Sequence, residues 1–189
     1  NQFAEFVNSK YAVAVSSCSA GLHIACKIAG INKNNKMITS PITFVSTANA
    51  CLHNSGKLIL SDIDLESANI SVNSVEKILK NNKNIKVMMP VHFSGNTCDM
   101  KKLKSLANKY NVSIIEDSAH AFGAKYNKNN YVGSCKYSDM SVFSFHPVKT
   151  IATGEGGMIT TNNKYIYKDL LKLRSHGIDK IDDNFINKS

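Results

Sequence analysis

The chain has 189 residues, 43% hydrophobic and 20% charged, which suits one domain with a sizeable core and excludes disorder as the default reading. Its formal charge of +9 comes almost wholly from lysine, Arg174 being the only arginine, and the lysines lie scattered among asparagines, as in NKNNK at 32–36 and KNNKNIK at 80–86. That is the pattern of solvated surface and not the clustered basic face of a nucleic-acid binder, and five widely spaced cysteines without a C-x-x-C pair fit a reducing cytoplasm better than a disulfide framework or a zinc site.

The opening NQFAEFVNSKYAVAV reads as the end of an amphipathic helix running into a strand at 11–16. Helical and strand patterns then alternate: helix 19–29, strand 36–38, helix 45–54, strand 58–63, helix 74–82, strand 87–93, helix 100–110 and strand 113–117. Strands at 141–145 and 158–161 follow one another with no helix between them, so one pairing is expected to be antiparallel; a helix at 165–175 comes last. Such alternation predicts a three-layer α/β/α fold with a mainly parallel sheet. Asn-rich stretches at 32–35 and 127–130 read as loops, and no apolar run is long enough for a membrane span. The final KIDDNFINKS, 180–189, stops without a closing element, so both ends read as cut and the chain is expected to be a fragment.

In open α/β sheets, ligands gather where strand carboxyl ends meet helix N-termini, and three such places carry chemistry. The first, VAVSSCSAGLHIA at 13–25, opens a helix with small hydroxyl residues: Ser19 either caps that helix or, with the amides of Ala20 and Gly21, holds a phosphate. It carries neither a Walker A pattern nor a G-x-G-x-x-G. The second, SIIEDSAHAFGA at 113–124, places Glu116 and Asp117 at the end of a buried strand, with His120 three residues on. Asp117 is either a helix cap or a carboxylate with a cationic or protonated partner; His120 either packs or faces the same site. The third, SVFSFHPVKTIATGEGGMITTNN at 141–163, brings Ser144 to a strand end and Lys149 just beyond, before the glycines at 154, 156 and 157. Lys149 is either a surface charge or an amine nucleophile toward carbonyls. A phosphate cradle, an acid and a lysine on an α/β scaffold match the needs of pyridoxal phosphate.

SSCSAGLHIA, SPITFVSTANA, EDSAHAFGA, FSFHPVKTIATGEGGMITTNN and LRSHGI occur in the order expected of a family that the chain resembles. That family is the sugar aminotransferases of antibiotic and deoxysugar biosynthesis, within fold type I of the pyridoxal-phosphate enzymes. PVHFSG with CDM, at 90–95 and 98–100, is most similar to the branch that aminates C4 of a UDP-linked 4-keto-6-deoxy-N-acetylhexosamine on the route to pseudaminic acid. The resemblance implies the large cofactor-binding domain of that fold, truncated at both ends and lacking the small C-terminal domain. It implies that Lys149 bonds the cofactor and shuttles a proton, that Asp117 holds the pyridine nitrogen protonated, and that His120, glutamine in many relatives, bonds the phenolic oxygen. Phe44 is implied to stack on the ring, and Ser19, the Ala20 amide and Ser144 to bind the phosphate. Cys18 stands where relatives usually have glycine, and Lys149 where dehydrase relatives have histidine, which favours transamination. A cytoplasmic homodimer taking a nucleotide sugar and an amino donor, glutamate, is further implied. The substrate-contacting segments and an asparagine that reaches the partner's phosphate are expected beyond Ser189.

Overall fold

The computed structural model describes residues 2–178. The expected absence of a closing element at 180–189 therefore lies outside the described residues. Six α-helices and nine strands make up the described chain, alternating as far as the fifth strand and then running from the fifth strand to the ninth without an α-helix. They are α1 (Gln2–Val7), β1 (Tyr11–Val15), α2 (Cys18–Ile28), β2 (Lys36–Thr39), α3 (Val45–Leu52), β3 (Lys57–Leu60), α4 (Val72–Asn81) and β4 (Ile85–Met89). After these come α5 (Met100–Tyr110), β5 (Ser113–Asp117), β6 (Lys125–Asn127), β7 (Asn130–Tyr131), β8 (Met140–Ser144), β9 (Gly157–Thr161) and α6 (Lys164–Leu173).

Seven strands form one sheet in the order β1-β9-β8-β5-β4-β2-β3. β9 runs antiparallel to both its neighbours, and the remaining pairings are parallel. The expected antiparallel pairing is thus present, made by the strand that follows β8 without a helix.

Alternation along each central strand sends successive side chains to opposite faces. Ile115, Val87, Met89 and Val142 join a cluster with Leu22, Ala25 and Cys26 of α2, Ala50 and Cys51 of α3, and Leu170 of α6. Ile114, Met88 and Ile38 face the other way, onto Val75 and Leu79 of α4 and Met100, Leu103 and Ala107 of α5. The sheet is covered on both faces, as the apolar runs predict. Leu22, Ile115 and Ile159 are almost wholly enclosed, each burial worth about 1.5–3 kcal/mol.

Local differences from the sequence reading have identifiable causes. β4 stops at Met89 and does not reach 93, because Pro90 has no N–H to continue the ladder; Val91 touches Asp117 only as an isolated bridge, and Phe93–Gly95 forms a 3-10 turn. The Asn-rich stretch at 127–130 is the tip of a small hairpin, β6 with β7. α2 begins one residue earlier than expected, since Ser17 and not Ser19 is its cap: Ser17 is extended and its Oγ accepts from the Ala20 amide at 3.1 Å.

Candidate functional site

The sheet register brings the site together at one edge. Gly157, the first residue of β9, pairs with Val15 at the end of β1 on one side and with Ser144 at the end of β8 on the other. The N-terminus of α2 and the Ser144 hydroxyl therefore lie side by side across one glycine. A Cβ at Gly157 would come within 2.8 Å of the Cys18 nitrogen, the Phe143 oxygen and the Ser17 carbonyl carbon. All three are backbone atoms, so this approach requires glycine.

A cavity of about 220 Å³ opens at this carboxyl edge. Ser19, Phe44, Asp117, His120, Ser144 and Lys149 all line it. Ala20 is the expected residue that does not; it borders a separate hollow beside Arg174, and its amide is held by Ser17. With Ser17 as cap, Gly21 bonds back to the Ser17 carbonyl. The amides of Cys18 and Ser19 are then the open donors of the first turn among the described residues. Open amides at a helix start form an anion site.

Asp117, at the end of β5, is 4% exposed. Its Oδ2 accepts from the Thr47 hydroxyl at 2.6 Å and its Oδ1 from the Ala119 amide at 3.1 Å. Thr47 is itself 2.6 Å from the Thr43 hydroxyl. Because the single Thr47 proton is committed to Asp117, Thr43 must donate to Thr47. Sequence reading missed this pair, because Thr43 precedes α3 and Thr47 lies in its first turn, so no helical pattern joins them. Glu116, the neighbouring carboxylate, points through the opposite face and leaves the cavity to Asp117.

Lys149 lies on a loop whose neck is pinned to Phe145, which donates to Gly156 O and accepts from Thr153 N. The charges of Lys149 and Asp117 are both felt by Cys18 and His120. Burial, then Asp117, pushes the Cys18 thiol well above its ordinary range, against the opposing pull of Lys149. His120 is held below its ordinary value by burial first and by the Lys149 ammonium second, with Asp117 acting the other way. His120 Nδ1 is buried without a hydrogen-bond partner among the described residues. Phe44, 70% exposed, stands at the cavity wall as the residue before α3.

Comparison with known proteins decides the family. The sequence profile of the DegT/DnrJ/EryC1/StrS aminotransferase family matches residues 1–189. The chain belongs to that family. A Campylobacter jejuni UDP-4-amino-4,6-dideoxy-N-acetyl-beta-L-altrosamine transaminase is 41% identical over 177 residues, 93% of this chain and 46% of the relative. GDP-perosamine synthase of Escherichia coli O157:H7 is 39% identical over 178 residues, 94% of this chain and 48% of the relative. The solved structure of Helicobacter pylori PseC, an aminotransferase involved in the biosynthesis of pseudoaminic acid, is 31% identical with a TM-score of 0.88, covering 96% of this chain and 48% of that one. The chain thus spans about half the length of the curated relatives it matches.

The DegT/DnrJ/EryC1/StrS family implies pyridoxal phosphate as cofactor, and the residues present fit it on three counts. Open amides beside the Ser144 hydroxyl suit a phosphate. Asp117 is a buried acceptor, as a protonated ring nitrogen requires. His120 lines the cavity and its Nδ1 has no hydrogen-bond partner among the described residues.

Proposed function

We propose that this chain is the cofactor-holding large domain of an aminotransferase that passes an amino group from glutamate to C4 of a UDP-linked 4-keto-6-deoxy-N-acetylhexosamine. The observation that carries the reading is the convergence of Lys149, Asp117, His120, Ser144, Ser19 and Phe44 on one cavity. Bound pyridoxal phosphate supplies an electron sink through which an amino group can leave one carbon and join another.

The chain's own residues divide the remaining work. Asp117, fixed by Thr47 and Ala119, holds the proton on the ring nitrogen. Lys149 bonds the cofactor and then moves a proton between cofactor and sugar carbon, a role that a lysine amine can fill as nucleophile and base. Ser19, Ser144 and the Cys18 and Ser19 amides grip the phosphate; the Ala20 amide joins them when Ser17 releases it. His120 donates to the phenolic oxygen, and Phe44 covers one face of the ring. The net charge of +9 favours the approach of an anionic nucleotide sugar without directing it to one edge.

The site is completed by a second copy of the chain. Phe44, Val45, Val148 and Ile151 are exposed, and Phe44 and Val148 rim the cavity. Cytoplasmic placement is supported by five cysteines that are all unpaired, and no helix among the described residues is long and apolar enough to cross a membrane.

The test uses the full-length enzyme. It should be yellow, and borohydride should fix the colour to the chain only when Lys149 is intact; a colourless protein indifferent to added pyridoxal phosphate overturns the reading. Glutamate-dependent amination of a panel of UDP- and GDP-linked keto sugars, with the product's amino position read by NMR, settles substrate and carbon. The perosamine relative at 39% identity favours a second reading, in which the nucleotide is GDP. The panel separates the two.

A further inference from the structure

Glu116 and His92 are wholly enclosed, and His92 Nε2 lies 2.6 Å from Glu116 Oε2. Burying a carboxylate is costly unless it is fully hydrogen-bonded. Here it is met from three sides: by His92, by the Tyr126 hydroxyl on the same oxygen, and by the Ser138 hydroxyl on Oε1. His92 Nδ1 accepts from the Cys98 amide at 3.1 Å. An amide cannot surrender its proton, so the ring proton sits on Nε2 and is given to Glu116. None of these groups touches the cavity, and the chemistry above does not use them.

Their position in the sheet suggests their purpose. Regular pairing of β4 with β5 covers Val87 with Ser113 and Met88 with Ile114, and beyond it Pro90 has no donor for the ladder. Two backbone bonds resume the contact at the end of β5: Asp117 N to Pro90 O at 2.9 Å and His92 N to Asp117 O at 3.1 Å. Asp117 is therefore held in the backbone by the very segment that carries His92. The His92–Glu116 bond joins the same two segments on the opposite face.

We propose that the His92–Glu116 pair is a positioning clasp that fixes Asp117 where the proline has weakened the sheet. The inference rests on the reading of Asp117 as partner of the cofactor's ring nitrogen. Tyr126 and Ser138 keep the Glu116 carboxylate from swinging, the Cys98 amide orients the His92 ring, and Asp117 is aimed by strand geometry from behind and by Thr47 in front.

The experiment compares full-length holoenzymes. His92→Asn keeps an acceptor near the Cys98 amide and no longer reaches Glu116; His92→Gln extends its amide toward Glu116 and serves as the rescue. His92→Asn should weaken pyridoxal phosphate binding about tenfold, the scale of one hydrogen bond to a charged group. It should also shift the pH at which the bound cofactor's absorbance titrates, in the same sense as Asp117→Asn and by less. His92→Gln should recover most of both. A His92→Asn protein that melts lower, with wild-type cofactor affinity and titration, overturns the clasp if Asp117→Asn does change the spectrum. An Asp117→Asn protein with an unchanged spectrum overturns the underlying reading and the clasp with it. Should His92→Asn not fold, Glu116→Gln, equal in volume, is read by the same comparison.

Discussion

Thr47 donates to Asp117 Oδ2 across 2.6 Å, linking the first turn of α3 to the end of β5. The bond fixes the direction of the whole chain of hydroxyls, since Thr43 can then only donate to Thr47. Thr47→Val keeps the shape and removes the donor. A hydrogen bond to a carboxylate is worth about 1.5–3 kcal/mol, so this variant should lose about that much in urea denaturation and bind cofactor more weakly, whereas Thr47→Ser should retain both. Equal cofactor affinity in the valine and serine variants would show that Asp117 is held without Thr47.

Gly157 is a second point of failure. Its added Cβ would meet three backbone atoms at 2.8 Å, on the α2 start and on β8 together, and backbone cannot move aside as a side-chain tip can. Gly157→Ala should cost about 1–3 kcal/mol and should also push Ser144 and the α2 amides apart, raising the dissociation constant for inorganic phosphate. Gly154→Ala is the contrast. Its φ is +81° in open space, so it should pay only a left-handed strain of about 1–2 kcal/mol and leave phosphate affinity alone.

The sequence made the layers legible because its apolar runs are long and uniform, and the absence of a helix between 145 and 158 marked the antiparallel strand. Strand ends were less legible where one residue decides them: with Pro90 next in the chain, β4 ends at Met89, four residues before the pattern does. At the site, strand-end residues such as Asp117 and Ser144 could be found from position alone. Thr47 and the Ser17 cap could not, because each depends on how α3 and α2 dock on the sheet; strand alternation already parts Glu116 from Asp117, and docking decides only which of them meets the cavity. The choice between Ser17 and Ser19 as cap turned on two residues of the same type, two positions apart, which composition cannot rank.

That choice is itself testable. Ser17→Ala removes the cap and should cost about 1 kcal/mol of stability. It also frees the Ala20 amide, which Ser17 otherwise occupies, so affinity for phosphate or pyridoxal phosphate should hold or rise while the melting temperature falls. A loss of affinity alongside the loss of stability would mean that Ser17 grips the anion directly.

The pH dependence of stability should carry the signature of His120. Its folded pKa lies below the ordinary 6.5, through burial first and the Lys149 ammonium second. Below 6.5 the unfolded chain therefore binds a proton that the folded protein refuses, and stability falls with pH from there down to the depressed folded value; above 6.5 the contribution is fully present. His23 is lowered as well, by burial, then His53 and Lys27, so wild type should lose stability over this window through two groups. His120→Gln removes one of them without adding a charge beside Lys149. Urea midpoints measured at pH steps downward from neutrality should fall less steeply in His120→Gln than in wild type, and less steeply again when His23→Gln is added. Parallel slopes for wild type and His120→Gln would show that the imidazole takes up its proton as freely in the cavity as in water.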